Sequence, residues 1–241
     1  MLRGIDTASA GMVADESWQQ ILANDLAQIG TPGYKSETPV IGSFETLLVA
    51  RTGAGGGVVG SQSGGAAVVA AITDWTEGAL QVTGNPLDVA LQGSGFFAVQ
   101  TPQGVRYTRA GDFSLDASGD LVTPQGYLVL STAGTPLKAG ENAQIAPDGT
   151  LGSSTGASGR IGVYNPALAS LTDTGGGIYQ TNGPAPLLAG AALTPGALES
   201  SNVQAPEVLA AMIQVLRHFQ AGQQFVTEDK STIDRFIQEA G

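Results

Sequence analysis

The sequence predicts a mainly β protein, an all-β central domain carried between long amphipathic N- and C-terminal helices that pair in a coiled-coil-like core. Three observations lead there. Apolar residues recur at helical spacing over residues 1–30 and again after Pro206. Between them, short apolar runs alternate with Gly-, Pro- and Asp-rich turn signals. Glycine, at 35 of 241 residues, falls in clusters, which points to many tight turns and not to disorder throughout.

The first helix steps by three and four through Ile5, Ala8, Met12, Asp15, Gln19, Leu22, Leu26 and Ile29. Only Asp15 and Gln19 break the stripe, a polar interruption in a coiled-coil-like seam. Gly30 is expected to close the helix in a left-handed cap, with Pro32 preventing its resumption.

The stretch "TGAGGGVVGSQSGG" (52–65) carries too little apolar surface to build a core and reads as a flexible or partner-ordered connector. The β body follows. Phe96–Gln100 and Val105–Thr108 flank "TPQG" as one hairpin, 113–115 and 121–123 flank "DASGD" as another, and "IAPDGTLG" (145–152) forms a third. Gly93 and Gly95 allow a bend or bulge before Phe96. On a strand, Phe96 and Phe97 point to opposite faces, so one at most is expected in the core, the other in an inter-subunit contact or packed under a loop. Trp75 is either a core anchor or a lid.

The closing helix steps through Leu209, Met212, Leu216, Phe219, Gln223, Val226, Lys230, Ile233 and Ile237, with Pro206 in its first turn and "ESSNVQ" offering caps. It spans ~50 Å at 1.5 Å per residue. The expected organisation is an N-terminal helix over 1–35, a Gly-rich connector over 36–74, a β-rich body over 75–197 and a C-terminal helix over 198–241. A β body of that size buries its own inner face, whereas a lone helix pair leaves much of each stripe exposed. Val208, Ala211, Val215 and Phe236 widen the apolar surface beside the Leu209 stripe, which suits contact with several neighbours. The expected interface residues are Ile5, Met12, Leu22, Leu26, Ile29, Leu209, Met212, Leu216, Phe219, Val226, Ile233 and Ile237.

Several function classes are excluded. Lys and Arg number 10 against 21 Asp and Glu, and the net charge of −11 is spread along the chain, which repels a phosphate backbone and argues against nucleic acid. There is no cysteine, hence no disulfide, thiolate metal site or cysteine nucleophile. The longest apolar run, "AAVVAAI" (66–72), is far below the roughly 20 residues of a membrane span. No cleavable secretory signal opens the chain, because Asp6, Asp15 and Glu16 precede any hydrophobic stretch.

Enzymatic chemistry finds no support either. The single histidine, His218, lies on the closing helix between Leu216 and Phe219, where a surface or interface role fits better than a Ser-His-Asp arrangement. Asp112, Asp116 and Asp120 are four apart and lack the two-residue spacing and distal Glu of a calcium loop; they read as turn residues. No Gly-Lys-Ser/Thr follows "GSGFF" or the triple glycines at 55–57 and 175–177, so none is a phosphate loop. No catalytic residue, metal, cofactor or small-molecule substrate is expected.

"ANDLAQIGTPGYK" (23–35) resembles the N-terminal signature of the axial proteins of the bacterial flagellum, the rod and hook group. The match falls on Ala23, Asn24, Leu26, Ala27, Thr31, Gly33, Tyr34 and Lys35, with departures at Asp25 and Gln28, where asparagine is usual. "LDVALQGSGFFAV" and "YTRAGDFSLDASGDLVTPQGYLVL" are similar to that family's central motifs, and "LESSNV" with "MIQVLRHFQ" to its C-terminal signature, with Gln204 in place of a capping asparagine. The resemblance implies a structural, non-enzymatic subunit of the basal-body rod, exported unfolded through the flagellar type III apparatus with an uncleaved signal. Its terminal helices would form inner tubes and its β domain the outside, beyond the cytoplasmic membrane. Expected partners are copies of itself, other rod and hook proteins and the export apparatus. A hook subunit is the alternative within the family, and a non-flagellar β binding module with helical oligomerisation arms the alternative outside it.

Overall fold

A computed structural model describes residues 2–43, 47–50, 58–62, 66–140, 142–153 and 156–240. The chain divides into two compact units, one of residues 1–27, 37–74 and 204–241, the other of residues 28–36 and 75–203.

The first unit is built on two helices, α1 (Leu2–Ala27) and α2 (Ala205–Ala240), which contact each other. α1 stops at Ala27 and a turn carries the chain on, with the Thr31 amide donating to the Gln28 carbonyl at 3.0 Å. The expected left-handed cap at Gly30 is absent; the left-handed glycine is Gly33, at φ 66°. The chain reverses where its backbone must lie against another strand, and this happens at Gly33, not at the helix end. Asp25, where the family usually has asparagine, is buried, and its carboxylate accepts the Glu37 amide at 3.2–3.3 Å.

Between the helices in sequence, Glu37–Ser43 pairs antiparallel with Ala66–Thr73, and Leu47–Ala50 with Val58–Gln62. The glycine runs at 51–57 and 63–65, part of the expected connector, lie outside the described residues. Among those described, Ile41, Val69 and Ile72 are exposed.

The second unit is the β body. Its largest sheet has eight antiparallel strands, in the order Leu171–Asp173, Ile178–Thr181, Gly104–Thr108, Phe96–Thr101, Leu128–Val129, Leu121–Val122 and Ser114–Leu115, with Val163–Tyr164 also pairing against Phe96–Thr101. The hairpins around "TPQG", "DASGD" and "IAPDGTLG" lie where turn chemistry put them. Thr101 pairs with Gly104, Leu115 with Leu121, and Ile145 with Leu151. Small two-stranded ladders join Ala192–Pro195 to Val89–Gln92 and Ala197–Glu199 to Leu80–Val82.

Both phenylalanines of "GSGFF" are buried, one in each of two clusters, where a single core was expected. Phe97 enters the main core with Val89, Leu91, Val99, Phe113, Leu121, Leu151 and Ile161, meeting Phe113 edge to face at 5.2 Å. Phe96 serves a second cluster on the opposite face, with Ala98, Tyr107, Leu130 and Tyr179. Trp75 closes this cluster, its ring edge-on to Phe96 at 5.4 Å and to Tyr179 at 4.9 Å. Alternation along a strand sends its neighbours to opposite faces; it does not leave one face wet when aromatic rings cover it.

Candidate assembly site

The signature segment finds its chemistry in the β body. Gly33 donates its amide to the Glu199 carbonyl at 2.7 Å, and a Cβ there would fall 2.4 Å from the Arg109 carbonyl carbon. No other residue combines that approach with a positive φ at so little cost. Tyr34 is fully buried, and its carbonyl accepts the Asn202 amide at 3.4 Å. Asn202 Oδ1 accepts the Ser36 amide at 2.8 Å, while its Nδ2 donates to the Thr76 hydroxyl and carbonyl at 3.1 and 3.3 Å. Thr31 Oγ1 donates to Gln28 Oε1.

At the centre, the Lys35 ammonium donates to Glu199 Oε1 at 2.5 Å and to the Thr76 carbonyl at 2.6 Å. Glu199 Oε1 also accepts the Gly78 amide at 3.0 Å, and Oε2 meets Arg109 Nη1 at 3.3 Å. Arg109 Nη2 donates to the Gly93 carbonyl at 2.7 Å, and its guanidinium lies over the Phe96 ring, 5.3 Å from the centroid. All three charged side chains are almost wholly withdrawn from water. Buried charges persist only when paired and hydrogen-bonded, and Glu199 serves both cations.

Of the signature positions, Gly33, Tyr34 and Lys35 thus converge with Glu199 and Asn202, Thr31 holds the turn through Gln28 and Tyr34, and Ala23, Asn24, Leu26 and Ala27 lie on α1. The sequence reading did not single out Glu199, Asn202 or Arg109, although all three stand inside quoted motifs.

The helix pair belongs to the first unit. On α1, Ala14, Leu22 and Asp25 are buried, Ile5, Met12 and Leu26 half-buried, and Ile29, beyond the helix, exposed. On α2 the buried positions are Val208 and Val215, with Met212, Phe219 and Val226 half-buried. Leu209 and Leu216 are exposed, and Ile213 joins them on the same face. The side chains of Ile233 and Ile237 lie outside the described residues. Gly222 admits Met12, whose Cγ would stand 2.9 Å from a Cβ there.

Asp15, one of the two polar interruptions, lines a cavity of about 400 Å³ with Ala8, Gly11, Met12, His218 and Gly222. Burial raises its carboxyl above the ordinary 3.8, and the His218 charge acts in the opposite direction. In the β body the Asp116 carboxylate accepts the Ser118 and Asp120 amides at 2.8 Å, and Asp120 pairs with Lys138 at 3.2 Å; these are turn and ion-pair roles. Among the described residues no three His, Asp or Glu side chains converge to hold a metal, and no helix is long and apolar enough to cross a membrane.

A β-rich body together with a helix that exposes apolar surface at Leu209, Ile213 and Leu216 is the make-up of a structural subunit. Residues 90–153 match the family described as flagellar hook protein FlgE/F/G D1 domain, and residues 194–239 match flagellar basal body rod FlgEFG protein C-terminal. The flagellar basal-body rod protein FlgG of Bacillus subtilis is 30% identical over 99% of this chain and 98% of its own. The basal-body rod protein FlgF of Mesorhizobium japonicum is 29% identical over 97% and 96%. The hook protein FlgE of Treponema pallidum is 32% identical over 57% of this chain and 32% of its own. The chain belongs to the flagellar basal-body rod and hook family of axial structural proteins, which are not enzymes, and its place is the basal body of the flagellum.

Proposed function

We propose that the protein is a rod subunit that polymerises through its terminal helices, with copies of itself and other rod and hook proteins as neighbours. The observation that carries this reading is the second apolar stripe on α2. Leu209, Ile213 and Leu216 are 48%, 54% and 44% exposed, beside the face that turns Val208 and Val215 inward. A helix with two apolar faces, one covered within its own unit, has the surface that a further helix would bury. The interface then comprises Leu209, Ile213 and Leu216 with the remaining seam residues, Ile5, Met12, Leu22, Leu26, Ile29, Met212, Phe219, Val226, Ile233 and Ile237.

A rod position is favoured over a hook position by coverage. The rod relatives align along nearly their whole length, whereas the hook relative extends well beyond the match. Passage through the flagellar type III apparatus completes the proposal, resting on family membership.

The test is replacement of the chromosomal copy by Ile213→Asp/Leu216→Asp. The expected result is a folded, exported subunit, non-swimming cells and basal bodies whose rods stop short. Normal swimming with complete rods overturns the helix-interface reading. Truncation at the hook, with the rod intact, makes the protein a hook subunit.

A further inference from the structure

We propose that Glu199 positions the Thr31–Lys35 segment and holds two cations with different tenure, Arg109 permanently and Lys35 releasably. The segment that follows α1 then docks and undocks without unfolding the β body. The inference rests on the proposed reading of a subunit that polymerises through its terminal helices, but its test needs no polymer.

The charge count is the starting point. Lys35, Arg109 and Glu199 are buried together, so the docked cluster carries two cations on one carboxylate. Withdrawing Lys35 leaves one of each, a neutral pair and not an orphan charge. Lys35 itself regains water at the tip of a flexible four-carbon stem. The carboxylate keeps partners, since Oε1 retains the Gly78 amide and Oε2 retains Arg109.

Arg109 is tied to the body independently of the segment. It donates to the Gly93 carbonyl and lies over Phe96, which belongs to the second core cluster. Its Nε has no hydrogen-bond partner among the described residues, so the guanidinium keeps donor capacity in reserve. Glu199 is likewise held without the segment, because Ala197–Glu199 pairs with Leu80–Val82. The backbone of Gly33, Tyr34 and Ser36 also ties the segment to Glu199 and Asn202.

Hydrogen exchange on the full chain tests this. In the wild type, the Gly33 and Ser36 amides are expected to exchange faster than those of Phe96–Thr101. Lys35→Met is expected to speed exchange at both about tenfold and to leave Phe96–Thr101 and Gly104–Thr108 within twofold. Arg109→Met is expected to speed exchange in those strands as well. At Gly33, measured relative to the strands, Glu199→Gln and Lys35→Met each cost about tenfold, and the double variant costs well under the hundredfold product because the two changes share the Lys35–Glu199 contact. Four results overturn the proposal: a Lys35→Met chain that fails to fold or loses strand protection equally, unchanged exchange at Gly33, strands untouched by Arg109→Met, or a multiplicative hundredfold loss in the double variant. None bears on whether the chain polymerises, which the rod phenotype decides separately.

Discussion

The Lys35 ammonium stands 2.5 Å from the Glu199 carboxylate, with both side chains 0–1% exposed. These residues are 164 positions apart in sequence, so one buried bond ties the end of the N-terminal signature to the start of the C-terminal one. Removing the carboxylate strands Arg109, which the body holds in place, and frees Lys35 of its partner. Glu199→Ala is therefore expected to destabilise the β body by about 3–5 kcal/mol, the range for breaking a buried pair. Urea unfolding followed by tryptophan fluorescence reads this through Trp75, which packs on the second core cluster. A loss under 1 kcal/mol would mean that the cluster contributes little to stability.

Gly33 sets a second requirement. Its φ of 66° disfavours any side chain, and a Cβ would clash with the Arg109 carbonyl, which is backbone and cannot swing aside. The left-handed penalty alone is roughly 1–2 kcal/mol, and the clash adds to it. Gly33→Ala is expected to cost at least about 2 kcal/mol. Gly84→Ala, at φ 76° with open space around its Cβ, should cost only the conformational part. Parallel denaturation of the two variants separates strain from collision.

The hairpins were legible because a turn's chemistry is local. "TPQG", "DASGD" and "APDG" each fix their own geometry, and the strands beside them followed. The helices were legible from period alone, yet which face of α2 turns inward was not. Val208 and Val215 lie one position before Leu209 and Leu216, both stripes are apolar, and only the partner on α1 decides between them. The Lys35–Glu199–Arg109 cluster was illegible for a related reason. Three charges far apart in sequence give no periodic signal, and burial of charge is decided by tertiary pairing, not by composition. Alternation separates Phe96 from Phe97 but does not say what covers each face; Trp75, a core anchor or a lid by sequence alone, packs on the Phe96 face.

Asp112 provides a pH test. Burial pushes its carboxyl above the ordinary 3.8, its own backbone amide opposes this, and the nearby Asp88 carboxylate raises it further. A carboxyl with a raised folded pKa binds its proton more tightly in the native state. Its contribution therefore favours folding at low pH and is lost as the pH rises from 3.8 through the folded value. Asp112→Asn is expected to flatten that fall in stability and to be no less stable than wild type at pH 7. Urea midpoints at pH 4 and pH 7 for both proteins check the sign. A steeper fall with rising pH in Asp112→Asn would contradict it.

Neighbouring residues on α2 offer the sharpest contrast. Val215 is 2% exposed and Leu216 44%, so truncating each to alanine removes similar chemistry from opposite environments. Val215→Ala deletes buried methyl groups and leaves a cavity, which costs about 2 kcal/mol at ~0.8 kcal/mol per buried carbon plus the void. Leu216→Ala removes apolar surface that already meets water, and its effect on the isolated chain is expected within about 0.5 kcal/mol. Two compact units need not unfold together, so the readout has to report the helices: far-ultraviolet circular dichroism at 222 nm against temperature. Val215→Ala should lower the helical midpoint by several degrees while Leu216→Ala leaves it in place. In cells the order is expected to reverse in kind, with Leu216→Ala giving a monomer as stable as wild type but fewer complete rods, because the surface it loses is buried only between subunits. Equal thermal effects from the two substitutions would mean that Leu216 is covered within its own chain, and the apolar stripe assigned to assembly would have to be sought elsewhere on α2.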